Sequence, residues 1–317
     1  MANLRMTVIG GGSVGLCVAA SFAQAGADVC LMVREAQVGP LSQQPITVTG
    51  MLGECRLDRG RITIEDAAKP SEISRDCDVL VVTTKAFDVA AVLQPFAEAP
   101  RPRSVLLMQN GLGCDEITRE VMGNDTPVFS SAMMIGMQRD GIGQVSVNAH
   151  ASPVWIGSML DDEPSAAQSM LEYAERGFLP LVHEPEIQKT IYSKVLFNTC
   201  MNPTGALIGR TYGELLENEY SRALIVNLAD ETLRVYAASA GLHFADNGQH
   251  YVDEILSPLV FPRAVAHRSS MVQDIENGRL TEIDFLNGAI VKMGRDVGID
   301  TPFHQSIVLM IHAREKV

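Results

Sequence analysis

The chain has 317 residues and a formal net charge of −13 at pH 7, a balance that argues against nucleic acid or an anionic membrane as its main partner. A hydrophobic share of 46% with 20% charged residues is that of a soluble globular protein, and the length suits two domains. The six cysteines are scattered without a CxxC or a Cys/His cluster at metal spacing, so a reduced cytoplasmic setting and no structural metal are expected. No uninterrupted apolar stretch approaches the ~18 residues of a membrane span, and Gly10, Gly11, Gly12 and Gly15 interrupt the N-terminal run that loosely imitates a signal peptide.

Along the first half, short β-rich runs alternate with helical patterns. Strands are predicted at 6-MTVIG-10, 28-DVCLMV-33, 78-DVLVVTT-84, 104-SVLLMQ-109 and 127-PVFSSAMM-134. Their continuous apolar character fits parallel strands covered on both faces. The helical segment 13–26 ends at Gly26, a natural C-terminal cap. The runs 45–50, 54–58, 61–66, 144–149 and 153–159 alternate apolar with polar residues and read as antiparallel additions. His150 is expected on a surface turn, Cys114 as a small packing residue, and 133-MMIGM-137 as core.

Beyond about residue 183 strand signals nearly vanish. Helices are predicted at 186–201, 221–240, 268–277, 281–297 and 302–315, with Thr281 and Asp284 resembling a capping box. The expected fold class is α/β: a Rossmann-type doubly wound sheet over 1–183, then an all-helical domain over 184–317.

The first predicted strand runs into 10-GGGSVG-15. Gly10, Gly12 and Gly15 have the G-x-G-x-x-G spacing, in the strand–turn–helix context that dinucleotide binding requires. The glycines admit the pyrophosphate, and the N–H groups of Ser13, Val14 and Gly15 open a helix whose positive end faces it. At the end of the second strand, Arg34 suits the 2′-phosphate of NADP, while the adjacent Glu35 competes as a partner for the ribose 2′-OH of NAD. NADP is the favoured cofactor. Lys85 and Asn110 fall just past two further strands, where ligands of open α/β sheets bind; a surface Lys and an Asn-Gly turn are equally open readings.

In 193-SKVLFNTCMNP-203, Lys194, Asn198 and Asn202 recur every fourth residue on an otherwise apolar helix. They therefore share one face. Burying such groups without partners costs several kcal/mol, so the stripe faces water, pairs internally, or faces a polar ligand. Asn202 precedes Pro203 and could simply end the helix. In 268-RSSMVQDIENGRLTEIDFLNG-288, Ser270 and Asp274 lie four apart and Glu282 begins the next helix; a cap, a surface charge and a helix-terminal acid are their plain structural readings.

Taken together, the glycine loop with Arg34, T-x-K at 85, Q-N-G at 110, K-x-x-x-N-x-x-x-N-P at 194–203, and R-S-S-M-x-Q-D followed by T-E-I-D-x-x-N-G resemble the ketopantoate reductase family, in family order over nearly the whole chain. The resemblance implies NADPH-dependent reduction of the C2 ketone of 2-dehydropantoate to (R)-pantoate, in a cleft between the domains. It implies that Lys194 is the catalytic proton donor and Glu282 the active-site acid. Asn198, Asn202 and Ser270, with Ser269 as the fallback, would bind substrate. Lys85 and Asn110 would lie near the nicotinamide, Asn110 serving substrate as well as cofactor. A paralogue acting on another branched or hydroxylated 2-oxoacid, a 3-hydroxyacid or opine-type dehydrogenase and a non-catalytic NADP-responsive regulator are the alternatives. A homodimer through the helical domain is left open.

Overall fold

The computed structural model describes residues 3–98, 100–150, 152–262 and 264–315. The chain divides into two compact units. One comprises the residues up to Gln109 together with Cys114–Gln188; the other comprises Asn110–Gly113 and the residues from Lys189 onward.

The first unit is built on twelve strands among its described residues: β1 (Arg5–Ile9), β2 (Asp28–Val33), β3 (Ile46–Gly50), β4 (Cys55–Leu57), β5 (Thr63–Asp66), β6 (Val79–Val82), β7 (Ser104–Leu107), β8 (Val128–Ala132), β9 (Ile135–Gly141), β10 (Gln144–His150), β11 (Val154–Gly157) and β12 (Leu181–His183). Eight form one sheet in the order β12-β11-β8-β7-β6-β1-β2-β5. All neighbours are parallel except β11 against β8. The run β5-β2-β1-β6-β7-β8, its six strands renumbered in chain order, reads 3-2-1-4-5-6, the doubly wound arrangement with its switch point between β1 and β6. Strand interiors such as Val79–Val82 and Val105–Leu107 are fully buried, which is why they carry β-branched and leucine side chains without alternation.

The other four strands, in the order β4-β3-β10-β9, form a second sheet. Its Val48, Cys55, Leu57, Val145 and Val147 join one core with Leu16, Val18 and Phe22 of the helix Ser13–Gln24. The sequence expectations differ here in several places. Run 61–66 is β5, a parallel edge strand on β2; its alternation reflects one exposed side of an edge, not antiparallel pairing. Run 144–150 pairs antiparallel with β9 and parallel with β3, and tract 133–137 supplies the start of β9. His150 closes β10 opposite Ile135, half-buried in a strand and not on a surface turn. Cys114 is buried at the start of the helix Cys114–Met122.

The second unit is helical. Its principal helices are Ile187–Ile208, Glu219–Ala240, Ser270–Glu276, Asn287–Asp296 and Pro302–Glu315. The first runs on past Pro203, so neither the Asn202-Pro203 pair nor the predicted limit at 201 ends it. The predicted helix 281–297 is instead a 3-10 turn, Ile283–Phe285, followed by a helix from Asn287, because Leu286 adopts φ −105°, ψ −95°. The buried carboxylate of Glu231 accepts the backbone N–H groups of Phe303 (3.0 Å) and His304 (3.1 Å), capping the last helix. Among the described residues no helix is long and apolar enough to cross a membrane.

Candidate active site

Each unit carries its own set of candidate residues. In the first, β1 leads into Gly10 at φ +124°, a conformation that L side chains rarely adopt. The Gly10 N–H bonds Met32 O at 2.9 Å. A Cβ at Gly15 would sit 1.9 Å from the Gly10 carbonyl oxygen, so helix and strand meet only through a glycine. Gly12 is different. Its φ of −79° is ordinary, and a Cβ there would meet nothing within 4 Å. The protein therefore does not demand glycine at 12; the open space beside it does, if a ligand's phosphates are to approach the backbone. Helix Ser13–Gln24 starts there without a side-chain cap, so its first N–H groups and positive dipole end suit an anion. These residues fit a dinucleotide pyrophosphate.

The switch point is reinforced by hydrogen bonds that the sequence does not reveal. Thr83 Oγ1 donates to Ile9 O (2.9 Å), joining β6 to β1. Gln109 Nε2 donates to Val82 O (2.9 Å) and Thr84 O (3.0 Å), joining the end of β7 to β6. Thr84 Oγ1 and Gln109 Oε1 are buried with no hydrogen-bond partner among the described residues. Both lie inside motifs visible in the sequence, T-x-K and Q-N-G, yet their role depends on a neighbouring strand that the local sequence does not reveal. Lys85 follows β6 in extended backbone, half-buried. Arg34 is exposed at the end of β2, just before the helix Glu35–Ser42. Glu35 lies 3.7 Å from Lys69 Nζ.

In the second unit, helix Ile187–Ile208 buries Val195 and Leu196 completely on one side. Its stripe comprises half-buried Lys194 with buried Asn198 and Asn202. Burial pushes the Lys194 ammonium down to about 8, with the Glu282 carboxylate pulling the other way. The Tyr212 hydroxyl donates to Asn202 Oδ1 at 2.9 Å, which leaves Nδ2 of that amide as a donor. Ser269, not Ser270, is the buried cap of helix Ser270–Glu276; its Oγ accepts the Val272 N–H at 3.3 Å. Ser270 is exposed at the first helical position. Asp274 is buried and pairs with Arg279 at 3.2 Å, so it is no surface charge.

Glu282 is held by its neighbours. Thr281 N and Oγ1 donate to Glu315 Oε1 (2.7 and 2.6 Å). His312 bridges Glu315 Oε2 and Asp284 Oδ1, each at 2.9 Å. The loop carrying Asn110 is fastened to the next turn: Leu112 N donates to Phe285 O at 2.9 Å, and a Cβ at Gly111 would lie 2.3 Å from the same oxygen. The second unit thus gathers Asn110, Lys194, Asn198, Asn202, Ser269 and Glu282, while the first holds the glycine loop, Arg34 and Lys85.

A doubly wound Rossmann sheet and a helical unit bearing a lysine–carboxylate pair define a dinucleotide-dependent oxidoreductase. The chain belongs to the ketopantoate reductase family: the family model "Ketopantoate reductase PanE/ApbA" matches residues 6–161, and "Ketopantoate reductase PanE/ApbA C terminal" matches residues 186–315. A 2-dehydropantoate 2-reductase of Aquifex aeolicus is 28% identical over 315 residues, 98% of this chain and 97% of that protein. One from Archaeoglobus fulgidus is likewise 28% identical over 315 residues, 98% of each chain. The fold is shared with the crystal structure of 2-dehydropantoate 2-reductase from Geobacter metallireducens (TM-score 0.83, 20% identity, 98% of this chain and 99% of that one). It is shared equally with D-mandelate dehydrogenase in its ternary structure with NADH and anilino(oxo)acetate (TM-score 0.83, 23% identity, 98% of each chain).

Proposed function

We propose that the protein reduces the C2 ketone of 2-dehydropantoate to (R)-pantoate with NADPH, Lys194 supplying the proton. The observation that carries this reading is the Lys194 ammonium: buried enough to titrate near 8, on one helix face with Asn198 and Asn202, and biased toward its charged form by Glu282. When bound, the dinucleotide supplies hydride to the carbonyl carbon. Negative charge then develops on the C2 oxygen, and a fixed ammonium in a poorly solvated site stabilises it far better than water does. Passing one proton to that oxygen completes the alcohol and leaves a neutral amine, a transfer favoured by a pKa close to working pH.

Asn198 and Asn202 supply amide donors along the same face, suited to the hydroxyl and carboxylate of the substrate. Ser270, or Ser269 behind it, adds a hydroxyl at a helix start. Asn110, on the loop whose Leu112 N–H is bonded to Phe285 O, would hold substrate and cofactor, and Lys85 would serve the cofactor. Gly10, Gly12, Ser13, Val14 and Gly15 would hold the pyrophosphate, and Arg34 the 2′-phosphate that distinguishes NADP from NAD.

The test is to follow NADPH absorbance with 2-dehydropantoate and a panel of other 2-oxoacids, then to repeat it with NADH. Turnover highest with 2-dehydropantoate and NADPH is expected. A better rate with another 2-oxoacid would move the assignment to that substrate, and no turnover with any would remove the catalytic reading.

A further inference from the structure

The helix bearing Lys194, Asn198 and Asn202 contains a proline, and the structure answers it with a side chain from far along the chain. Proline has no N–H, so the carbonyl four residues before Pro203, that of Thr199, loses its helical donor; the ring also crowds that carbonyl. The vacancy falls between Asn198 and Asn202, inside the stripe. Asn287 Nδ2 donates to Thr199 O at 3.0 Å, a bond spanning 88 residues of sequence. Asn287 is itself fully buried at the start of the helix Asn287–Asp296.

The geometry around Asn287 fixes which way its amide points. His304 Nε2 lies 3.0 Å from the Leu228 carbonyl, which can only accept, so Nε2 carries the hydrogen. Burial holds this imidazole neutral, pushed down to about 4. Its Nδ1 is therefore an acceptor, and the group 3.0 Å away must be the amide nitrogen of Asn287. One N–H of Asn287 goes to His304 and the other is left for Thr199. Thr232 Oγ1, 2.9 Å from Nε2 and itself bonded to Leu228 O at 2.9 Å, braces the far end.

We infer that Asn287 is a positioning residue: it replaces the hydrogen bond that Pro203 removes, and so sets the angle between the helical turn bearing Lys194 and Asn198 and the turn bearing Asn202. This rests on the proposed role of that stripe, but its signature is a coupling between positions 287 and 203 that needs no substrate to be seen. In Pro203→Ala, residue 203 regains an N–H that can bond Thr199 O, so the helix no longer depends on Asn287.

The experiment is a double-mutant cycle on the full chain with Asn287→Ala, Pro203→Ala and the pair. Asn287→Ala is expected to lower the melting temperature by about 5 °C with Pro203 present and by less in the Pro203→Ala background, where only the bond to His304 is lost. In turnover it is expected to cut kcat/KM for the 2-oxoacid at least ~10-fold, while NADPH affinity stays within about 2-fold. When Pro203→Ala is already in place, the loss in kcat/KM shrinks to under about 3-fold. If Asn287→Ala does not fold, recovery of folded protein in the double variant supports the coupling, and failure of both overturns it. Equal losses in the two backgrounds, or no loss from Asn287→Ala, also overturn it. A wild type without 2-oxoacid activity would sink the functional reading while leaving the melting cycle to decide this one.

Discussion

The lysine makes the sharpest quantitative demand. An ordinary lysine titrates near 10.4; Lys194 is pushed down to about 8 by burial, against the pull of Glu282. The difference between these values corresponds to roughly 3 kcal/mol of lost preference for the charged form. As proton donor the residue must be charged, so kcat for carbonyl reduction should be flat below pH 7 and fall through an alkaline limb near pH 8. By pH 9 it should be about one-tenth of the plateau. The assay is NADPH consumption at saturating 2-oxoacid across pH 6–10, in buffers of constant ionic strength. Glu282→Gln removes the charge that favours the ammonium, so it should move the limb to lower pH and depress kcat most on the alkaline side. A wild-type profile flat to pH 10, or a limb that Glu282→Gln leaves in place, would refute this electrostatic reasoning.

Other expectations concern separate parts of the molecule. Gly15→Ala places a carbon 1.9 Å from the Gly10 oxygen and should weaken NADPH binding by ~100-fold or more, about 3 kcal/mol, measured by titrating nucleotide fluorescence. Arg34→Ala should raise KM for NADPH by about 10–100-fold, the worth of charge-assisted bonds to a phosphate, and leave KM for NADH nearly unchanged; equal effects on both would remove Arg34 from cofactor choice. His312 is raised above its ordinary value, first by its bond to Glu315 and also by Asp284. Its stabilisation is therefore complete below about pH 6.5 and lost as pH rises through the raised value. The melting temperature should thus drop by about 2 °C across that window, and His312→Asn should abolish the drop.

How much of this could be read from sequence depends on the range of the interaction. The glycine loop was legible because strand, turn and helix are contiguous and each glycine answers a local steric or ligand requirement. Lys194, Asn198 and Asn202 were legible as a stripe because helical periodicity is local. Direction of pairing was not: 61-RITIED-66 alternates like an antiparallel strand, yet it pairs parallel at an edge, and the alternation reports only exposure. β9 went unrecognised since 135-IGMQRDG-141 has neither a continuous apolar run nor clean alternation. Pro203 misled because the local rule assumes an orphaned carbonyl, and the donor that rescues it comes from Asn287. Ser269 and Ser270 are adjacent in sequence, and only the cap geometry shows which is buried.

The most direct test of the central claim compares wild type with Lys194→Ala for NADPH oxidation driven by 2-dehydropantoate, with NADPH affinity measured alongside. The account predicts kcat reduced at least ~100-fold, the usual scale of acid–base assistance, with nucleotide affinity intact. Near-normal turnover in Lys194→Ala would contradict it.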